Sequence, residues 1–300
     1  MNKSNLILFY FFFTILASNS FEPLDVDFLK QKKEKKIVKS DEPNKPPQAP
    51  KKSEFPSFDK VIKNFEIIPG LFDLYWDKDK NKFLISIKPE QFDKVYLANL
   101  TRKSGDGQYY DSGSQLWEFP YVFEKLANTV QMVHVNTSFR ADKSSAIYRS
   151  LENFSNSIVS TGKVVSMAHS ETGAILIDAT EMFLTDISYV SQNRKGQYRF
   201  DKKNSFISDL QSYPTNTEIQ MKLHFKSAKW TNSITLPNSH SMMHTYHISL
   251  LDIPNTDFKP RVADDRLGYF TTIYQDYTST LRETPYVRYI NRWDLQKKYP

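Results

Sequence analysis

Alternation of apolar and polar residues predicts that this chain is built mostly from β-strands. The clearest example is Glu218–Ser227, in which Ile219, Met221, Leu223 and Phe225 fall on one face of an extended segment. Further strands are predicted from alternation or from β-branched and aromatic residues at Leu71–Asp77, Lys82–Lys88, Lys94–Arg102, Gln115–Leu126, Thr129–Asn136, Ser157–Ala168, Gly173–Asp178, Ser241–Ile253 and Tyr286–Leu295.

Helical signals are few by comparison. The spacing of apolar residues predicts a helix within Ala141–Phe154, and shorter helices are predicted at Ala179–Val190 and Asn204–Tyr213. About a dozen short strands with two or three short helices are typical of an antiparallel α+β protein. We therefore predict a mainly β fold with sandwich-like antiparallel sheets.

The N-terminus has the pattern of an export signal. Leu6–Leu16 is an uninterrupted apolar or aromatic run, and Ala17–Ser20 supplies small residues for cleavage. The run is too short to span a bilayer as a helix. We interpret residues 1–20 as a signal peptide rather than a stable membrane anchor, and expect a secreted, periplasmic or cell-envelope protein.

Residues 21–57 are rich in Lys and Pro and are predicted to form a disordered linker. Within it, Lys30–Glu54 holds nine lysines and four acidic residues, and so carries +5 of the net charge of +6. Because the rest of the chain is close to neutral, the basic balance does not indicate a nucleic-acid partner.

Residues 58–300 are predicted to form one β-rich domain, with 58–102 as a candidate for a small separate unit. The chain has no cysteine, which excludes disulfides, thiolate metal sites and a cysteine nucleophile. A domain of this size can bury a sufficient core without disulfides. The chain holds only eight glycines and no glycine-rich phosphate-binding motif, so nucleotide chemistry lacks its usual signature.

Three of the six histidines, His240, His244 and His247, are the candidates for a metal site. On a helix, His240 and His244 would share a face and could bind zinc. However, Ser241 stands where an HExxH helix has its glutamate, and the surrounding alternation favours a strand on which His244 and His247 point to opposite faces. We predict ordinary strand histidines, no metal site and no catalytic residue.

Lys259–Phe270 reads KPRVADDRLGYF, and two arginines and two aspartates lie within six of its residues. We predict that Arg261, Asp264 and Arg266 form a salt-bridged turn at the point where the chain leaves the β-domain. Together with Tyr269, these residues are the candidates for a structural or interdomain role.

Several phrases of the sequence resemble the secreted bacterial zinc-dependent metalloproteases of the metzincin-like kind, whose N-terminal regions are units of unassigned function. The resemblance extends over about Phe58 to Pro300. The phrases are PGLFDLYWD (Pro69–Asp77), VNTSFRAD (Val135–Asp142), AILIDATEMFLTDI (Ala174–Ile187), PRVADDRLGYF (Pro260–Phe270) and YINRWDLQKKYP (Tyr289–Pro300).

The resemblance implies a non-catalytic region that supports or gates a protease domain. In that family the HExxH helix follows the phrase that ends this chain, and no HExxH occurs here. Zinc is therefore expected only in the missing catalytic domain, which would be the partner in cis, with a peptide or protein as substrate. The expectation is a truncated gene product that is inactive alone. The alternative is a stand-alone exported module that binds peptides or glycans through exposed aromatic residues.

Overall fold

The computed structural model describes most of the chain, namely residues 55–193, 197–278, 285–293 and 295. The predicted signal peptide and all but the last three residues of the predicted linker lie outside these ranges. Those three residues belong to the folded part, because the backbone N–H of Met167 donates to the carbonyl oxygen of Pro56 at 2.9 Å and Phe55 packs against the core.

The predicted fold class is confirmed: the protein is mainly β, with antiparallel sheets and little helix. Within the described residues, the strands are β1 (Glu66–Ile68), β2 (Asp73–Asp77), β3 (Lys82–Ile87), β4 (Tyr96–Ser104), β5 (Ser114–Leu126), β6 (Thr129–His134), β7 (Phe139–Arg140), β8 (Ser157–Lys163), β9 (Ile175–Asp178), β10 (Arg199–Phe200), β11 (Phe206–Tyr213), β12 (Asn216–Lys226), β13 (Ser241–Asp252), β14 (Thr271–Asp276) and β15 (Tyr286–Ile290).

Helices are short throughout the described residues. The α-helices are α1 (Phe58–Ile62) and α2 (Thr180–Phe183), and 3₁₀ turns lie at Pro89–Gln91, Ala146–Asn153 and Lys202–Asn204. The helices of this part of the chain are too short to cross a membrane.

The largest sheet has eight strands in the order β10-β12-β13-β4-β5-β6-β8, with β11 also paired to β12, and it curls into a half-barrel. The predicted alternation of β12 sets its register. Ile219 lies opposite Ile248 of β13, and both side chains are fully buried on the concave face. The polar residues that alternate with the apolar ones along β12 face outward, as the two-residue period of a strand requires.

A second sheet, in the order β1-β2-β3-β9, contributes to the same core. Phe72, directly before β2, packs edge-on against Phe123 of β5, with ring centroids 5.5 Å apart. Its ring centroid also lies 5.1 Å from that of Tyr96 in β4. Buried residues of 58–102 therefore belong to the same hydrophobic cluster as those of the large sheet.

The helix predicted at Asn204–Tyr213 is wrong, because Phe206–Tyr213 is strand β11, paired antiparallel to β12. A β-bulge explains the misleading pattern. The register shifts between Ile207 and Asp209, so Ser208 is an extra residue. Ile207 and Leu210 thereby acquire a helix-like spacing although both point into the core of a sheet.

The two other predicted helices are present in reduced form. Only Ala146–Asn153 of Ala141–Phe154 is helical, as a 3₁₀ helix without a buried residue. Within Ala179–Val190 the helix is limited to Thr180–Phe183, which buries Met182 and Phe183.

A third sheet, β15-β14-β7, lies at the C-terminal end of the described chain. Strand β7 runs parallel to β14, and the backbone N–H of Tyr277 donates to the carbonyl oxygen of Arg140 at 2.7 Å. None of the described residues after Leu250 is buried. This C-terminal sheet therefore lacks a hydrophobic core of its own.

Candidate functional site

The charged loop Lys259–Phe270 lies along the edge of the C-terminal sheet. Asp264 accepts from the guanidinium of Arg266 at 2.9 Å and 2.5 Å and from the Arg266 backbone N–H at 3.0 Å. These bonds hold the pKa of the Asp264 carboxyl below its usual range, with the Arg266 side chain as the largest cause. Both groups are exposed to solvent, so the pair fixes the turn more than it stabilises the fold.

A second ion pair fastens the loop to β15. The Arg288 guanidinium donates to Asp265 at 2.6 Å. The backbone N–H of Ala263 donates to the carbonyl of Arg288 at 2.8 Å, and that of Ile290 donates to the carbonyl of Arg261 at 2.9 Å. The loop thus continues the sheet beyond β15 with strand-like hydrogen bonds.

Arg261 departs from the prediction for the salt-bridged turn. Within the described residues its side chain has no ion-pair partner. It lines a groove of about 540 Å³ together with Val262, Asp264, Arg266, Leu267, Tyr269 and Ile290, which we call the C-terminal groove. The groove therefore combines the Arg261 guanidinium with apolar walls. Arg261, Asp264 and Arg266 were predicted to form a turn rather than to line a groove.

Exposed apolar side chains surround this groove. Val262, Leu267 and Tyr269 are 64%, 60% and 55% exposed, respectively. The neighbouring segments also expose Phe270, Ile273, Tyr286 and Trp293. An exposed apolar surface of this density in a soluble protein is typical of a binding surface.

The C-terminal sheet is held in place by ring contacts rather than by a buried core. The Arg140 guanidinium of β7 lies 4.2 Å from the centre of the Tyr274 ring of β14. The hydroxyls of Tyr274 and Tyr289 are 3.3 Å apart, and burial followed by this contact raises the pKa of Tyr274. The Arg292 guanidinium lies 4.1 Å from the centre of the Phe258 ring.

The three candidate histidines do not converge on one point. The strand predicted at Ser241–Ile253 is confirmed as β13, and His244 and His247 point to opposite faces of it. His247 bonds the Glu218 carboxylate at 2.5 Å, whereas His240 bonds the Ser227 carbonyl at 2.9 Å. Among the described residues, no group of three His, Cys, Asp or Glu side chains could hold a metal ion.

His244 is fully buried on the concave face of the large sheet. Its Nδ1 lies 2.9 Å from the Tyr246 hydroxyl, while its Nε2 is buried without a hydrogen-bond partner. Burial, followed by the positive charge of Arg102, lowers the pKa of His244 to about 3. The imidazole is therefore neutral in the folded protein at ordinary pH.

A second constellation, absent from the sequence-based candidates, lies on the outer face of the same sheet. The Asp201 carboxylate is 3.0 Å from Nδ1 of His224, and Nε2 of His224 is 2.8 Å from the Ser241 hydroxyl. The residues come from the turn after β10, from β12 and from the start of β13. They share no local motif, so no spacing in the sequence could have identified them.

Asp201 is buried and is fixed by further polar contacts. The Asn204 amide donates to its Oδ2 at 2.7 Å, and the Lys226 ammonium lies 3.5 Å from its Oδ1. These donors and His224 lower the pKa of Asp201, with Asn204 as the largest cause. Asp201 is therefore ionised and acts as a hydrogen-bond acceptor for the imidazole.

No curated protein and no solved structure matches this chain. A family model matches residues 113–298, which is more than half of the sequence and includes both the C-terminal groove and the Asp201 constellation. The chain therefore belongs to the family described as Domain of unknown function (DUF5117).

Proposed function

We propose that this protein is the non-catalytic N-terminal region of a secreted zinc-dependent metalloprotease and that the C-terminal groove docks the catalytic domain. One observation carries the proposal. The C-terminal sheet exposes a dense set of large apolar side chains and buries none of the described residues after Leu250. A docked domain would supply the core that this sheet lacks.

The resemblance to the metalloprotease family supports the same surface. Its phrase PRVADDRLGYF (Pro260–Phe270) contains the loop that forms most of the groove. The ion pairs of Asp264 and Asp265 present this loop to solvent in a fixed shape. A preformed apolar surface loses little conformational entropy on docking, which favours binding.

The zinc chemistry would belong to the docked domain. That domain would hold the metal and the general base, whereas this chain would fix its position or limit access to its cleft. Export of both parts together follows from the signal peptide that we infer at residues 1–20.

The proposal is tested by mixing this chain with a separately purified HExxH domain from a member of the resembling family. Isothermal titration calorimetry should detect a stable complex. Leu267→Ser and Tyr269→Ser should each weaken it by about tenfold or more, as expected for anchors near the centre of an interface. Leu126→Ser is the matched control, since Leu126 is also 60% exposed but lies at the β5–β6 hairpin.

The same measurement can overturn the proposal. Absence of binding at high micromolar concentration, or equal weakening by Leu126→Ser, would contradict docking through the groove. Cleavage of denatured protein by this chain alone with zinc, abolished by a chelator, would contradict its non-catalytic role.

A stand-alone binding module for peptides or glycans is the second candidate. It is favoured by the volume of the groove, about 540 Å³, and by the presence of both Arg261 and the exposed Tyr269 in its lining. Such a site could hold a carboxylate and an apolar side chain of a peptide. Binding of short peptides that Arg261→Gln abolishes, without binding of the HExxH domain, would favour this candidate.

A further inference from the structure

We propose that Ser241 is an activated nucleophile that takes up acyl groups from small activated esters. His224 is its general base, and Asp201 is the residue that orients the imidazole. The proposal concerns ester chemistry on the outer face of the large sheet. It is independent of the docking function, in which this chain takes no part in proteolysis.

The geometry satisfies the requirements of nucleophilic catalysis by a serine. Ser241 Oγ is 2.8 Å from Nε2 of His224, within the distance at which an imidazole can accept its proton. The other ring nitrogen of His224 is 3.0 Å from the Asp201 carboxylate. Because the ionised Asp201 can only accept, it holds the proton of the neutral ring on Nδ1 and leaves the Nε2 lone pair directed at Ser241.

Burial decreases along this chain of hydrogen bonds. Asp201 is buried, His224 is half-buried and Ser241 is exposed. The carboxylate is thus held rigidly while the hydroxyl remains open to a reagent. This order, from a buried orienting acid to an accessible nucleophile, is the arrangement that an Asp-His-Ser triad requires.

The register between β12 and β13 places two further groups beside the hydroxyl. Lys226 is the direct cross-strand neighbour of Ser241, and its exposed ammonium can stabilise a negative charge that develops on a carbonyl oxygen. Met243 is the cross-strand neighbour of His224 and is 42% exposed, which offers an apolar contact to a small acyl or aryl group.

The reaction is balanced without a metal or redox cofactor. Ser241 Oγ forms a bond to the carbonyl carbon of the ester, and its proton passes to Nε2 of His224. The bond from the carbonyl carbon to the leaving oxygen breaks, and the alcohol or phenol leaves with the proton from His224. Water then attacks the acyl-serine by the same route and releases the carboxylic acid.

The fold contains a matched comparison for Ser241. Ser249 lies on the same face of β13, but its hydroxyl donates to the carboxylate of Glu218 rather than to an imidazole. Ser249 is also only partly exposed. The two serines therefore separate the effect of the His224 base from that of a serine on this strand.

A fluorophosphonate probe with a fluorescent tag tests the proposal on the intact chain. Ser241 Oγ would displace fluoride from phosphorus and leave a stable adduct at a residue that mass spectrometry can identify. We expect labelling at Ser241 that Ser241→Ala abolishes and Ser249→Ala leaves unchanged. His224→Gln should reduce the labelling rate by roughly 100-fold, the lower end of the range for loss of a general base.

Asp201 acts through His224, so its test includes rescue by the conservative variant. Asp201→Asn should slow labelling, because an amide no longer fixes the ring proton on Nδ1 as the ionised carboxylate does. Recovery of the labelling rate in Asp201→Glu would support the positioning role, whereas no recovery in a folded Asp201→Glu protein would contradict it. Circular dichroism of each variant ensures that only folded protein is compared.

Each outcome of the labelling experiment supports or contradicts the role of Ser241 as a nucleophile. Label on Ser241 that depends on His224 supports the proposal. Labelling of the native chain no faster than that of the heat-denatured chain would overturn it, as would equal labelling of native and Ser241→Ala protein. Hydrolysis of p-nitrophenyl acetate that persists unchanged in Ser241→Ala would also contradict it.

Discussion

Phe139 and Phe154 stack face to face, with ring centroids 3.8 Å apart and ring planes inclined by 7°. Phe139 lies in β7, whereas Phe154 directly follows the 3₁₀ helix Ala146–Asn153. Tyr277 completes the cluster at 5.5 Å from Phe154. These three rings thus attach the segment of β7 and the following 3₁₀ helix to the end of β14.

We predict that Phe154→Ala loosens the C-terminal sheet without unfolding the main core. The lost ring contacts should reduce local stability by about 0.5 to 1.5 kcal/mol, which is what an aromatic pair contributes beyond the burial of its area. Hydrogen exchange at the amides of β14 and β15 should become faster, while exchange in β12 and β13 stays unchanged.

Ile147→Ala is the matched control for this change. Ile147 lies in the 3₁₀ helix that precedes Phe154, and its side chain is 42% exposed. It should leave exchange in the C-terminal sheet unaltered. Equal acceleration by both variants would contradict the specific role of the stacked rings.

A second prediction concerns the acid stability conferred by His244. In the folded protein its imidazole stays neutral down to about pH 3, whereas in the unfolded chain it takes up a proton below its ordinary pKa of about 6.5. The unfolded state then binds more protons, so stability is lost as the pH falls from about 6.5 towards 3. One such group contributes a slope of about 1.4 kcal/mol per pH unit.

Urea unfolding between pH 7 and pH 4 measures this slope, which should become shallower in His244→Phe. A phenyl ring fits between Tyr110 and Phe225, whose ring centroids lie 4.9 Å and 5.6 Å from that of the imidazole. Tyr246→Phe keeps the buried imidazole and should keep the original slope. An unchanged slope in His244→Phe would contradict the assignment.

A third prediction concerns the β-bulge of β11. Because Ser208 is the extra residue, its deletion should restore a regular strand and keep Ile207 and Leu210 in the core. The cost should be limited to the bond that Gln220 donates to the Ser208 hydroxyl at 3.0 Å, about 1 kcal/mol. Thermal unfolding followed by circular dichroism measures it.

Deletion of Lys222 from the regular strand β12 is the contrasting change. It would turn part of the apolar face of β12 outward, because a shift of one residue reverses the two faces of a strand. We expect this variant to be unfolded or destabilised by more than about 4 kcal/mol. Similar stability of the two deletions would argue against the bulge.

The exposed apolar side chains give a fourth prediction. The chain should self-associate with increasing concentration and bind a hydrophobic dye, because the surface around the C-terminal groove is not covered in the isolated chain. Leu267→Ser combined with Trp293→Ser should reduce dye binding, measured by fluorescence. A monomer without dye binding at high concentration would contradict an uncovered docking surface.

The sequence alone determined the local β-structure of this protein. Alternation in Glu218–Ser227 predicted both the strand and its buried face, and the same rule placed His244 and His247 on opposite faces. The strands predicted at Leu71–Asp77 and Lys82–Lys88 are likewise present as β2 and β3, which pair antiparallel. These features depend on residues within a few positions of one another.

Only the tertiary structure decided which distant residues meet. The bulge at Ser208 gave a strand the apolar spacing of a helix. The pairing of β10, β12 and β13 brought Asp201, His224 and Ser241 together. Such contacts depend on register and on the curl of the sheet, which are set by packing of the whole core. A single sequence records the residues of such a site but not their distances.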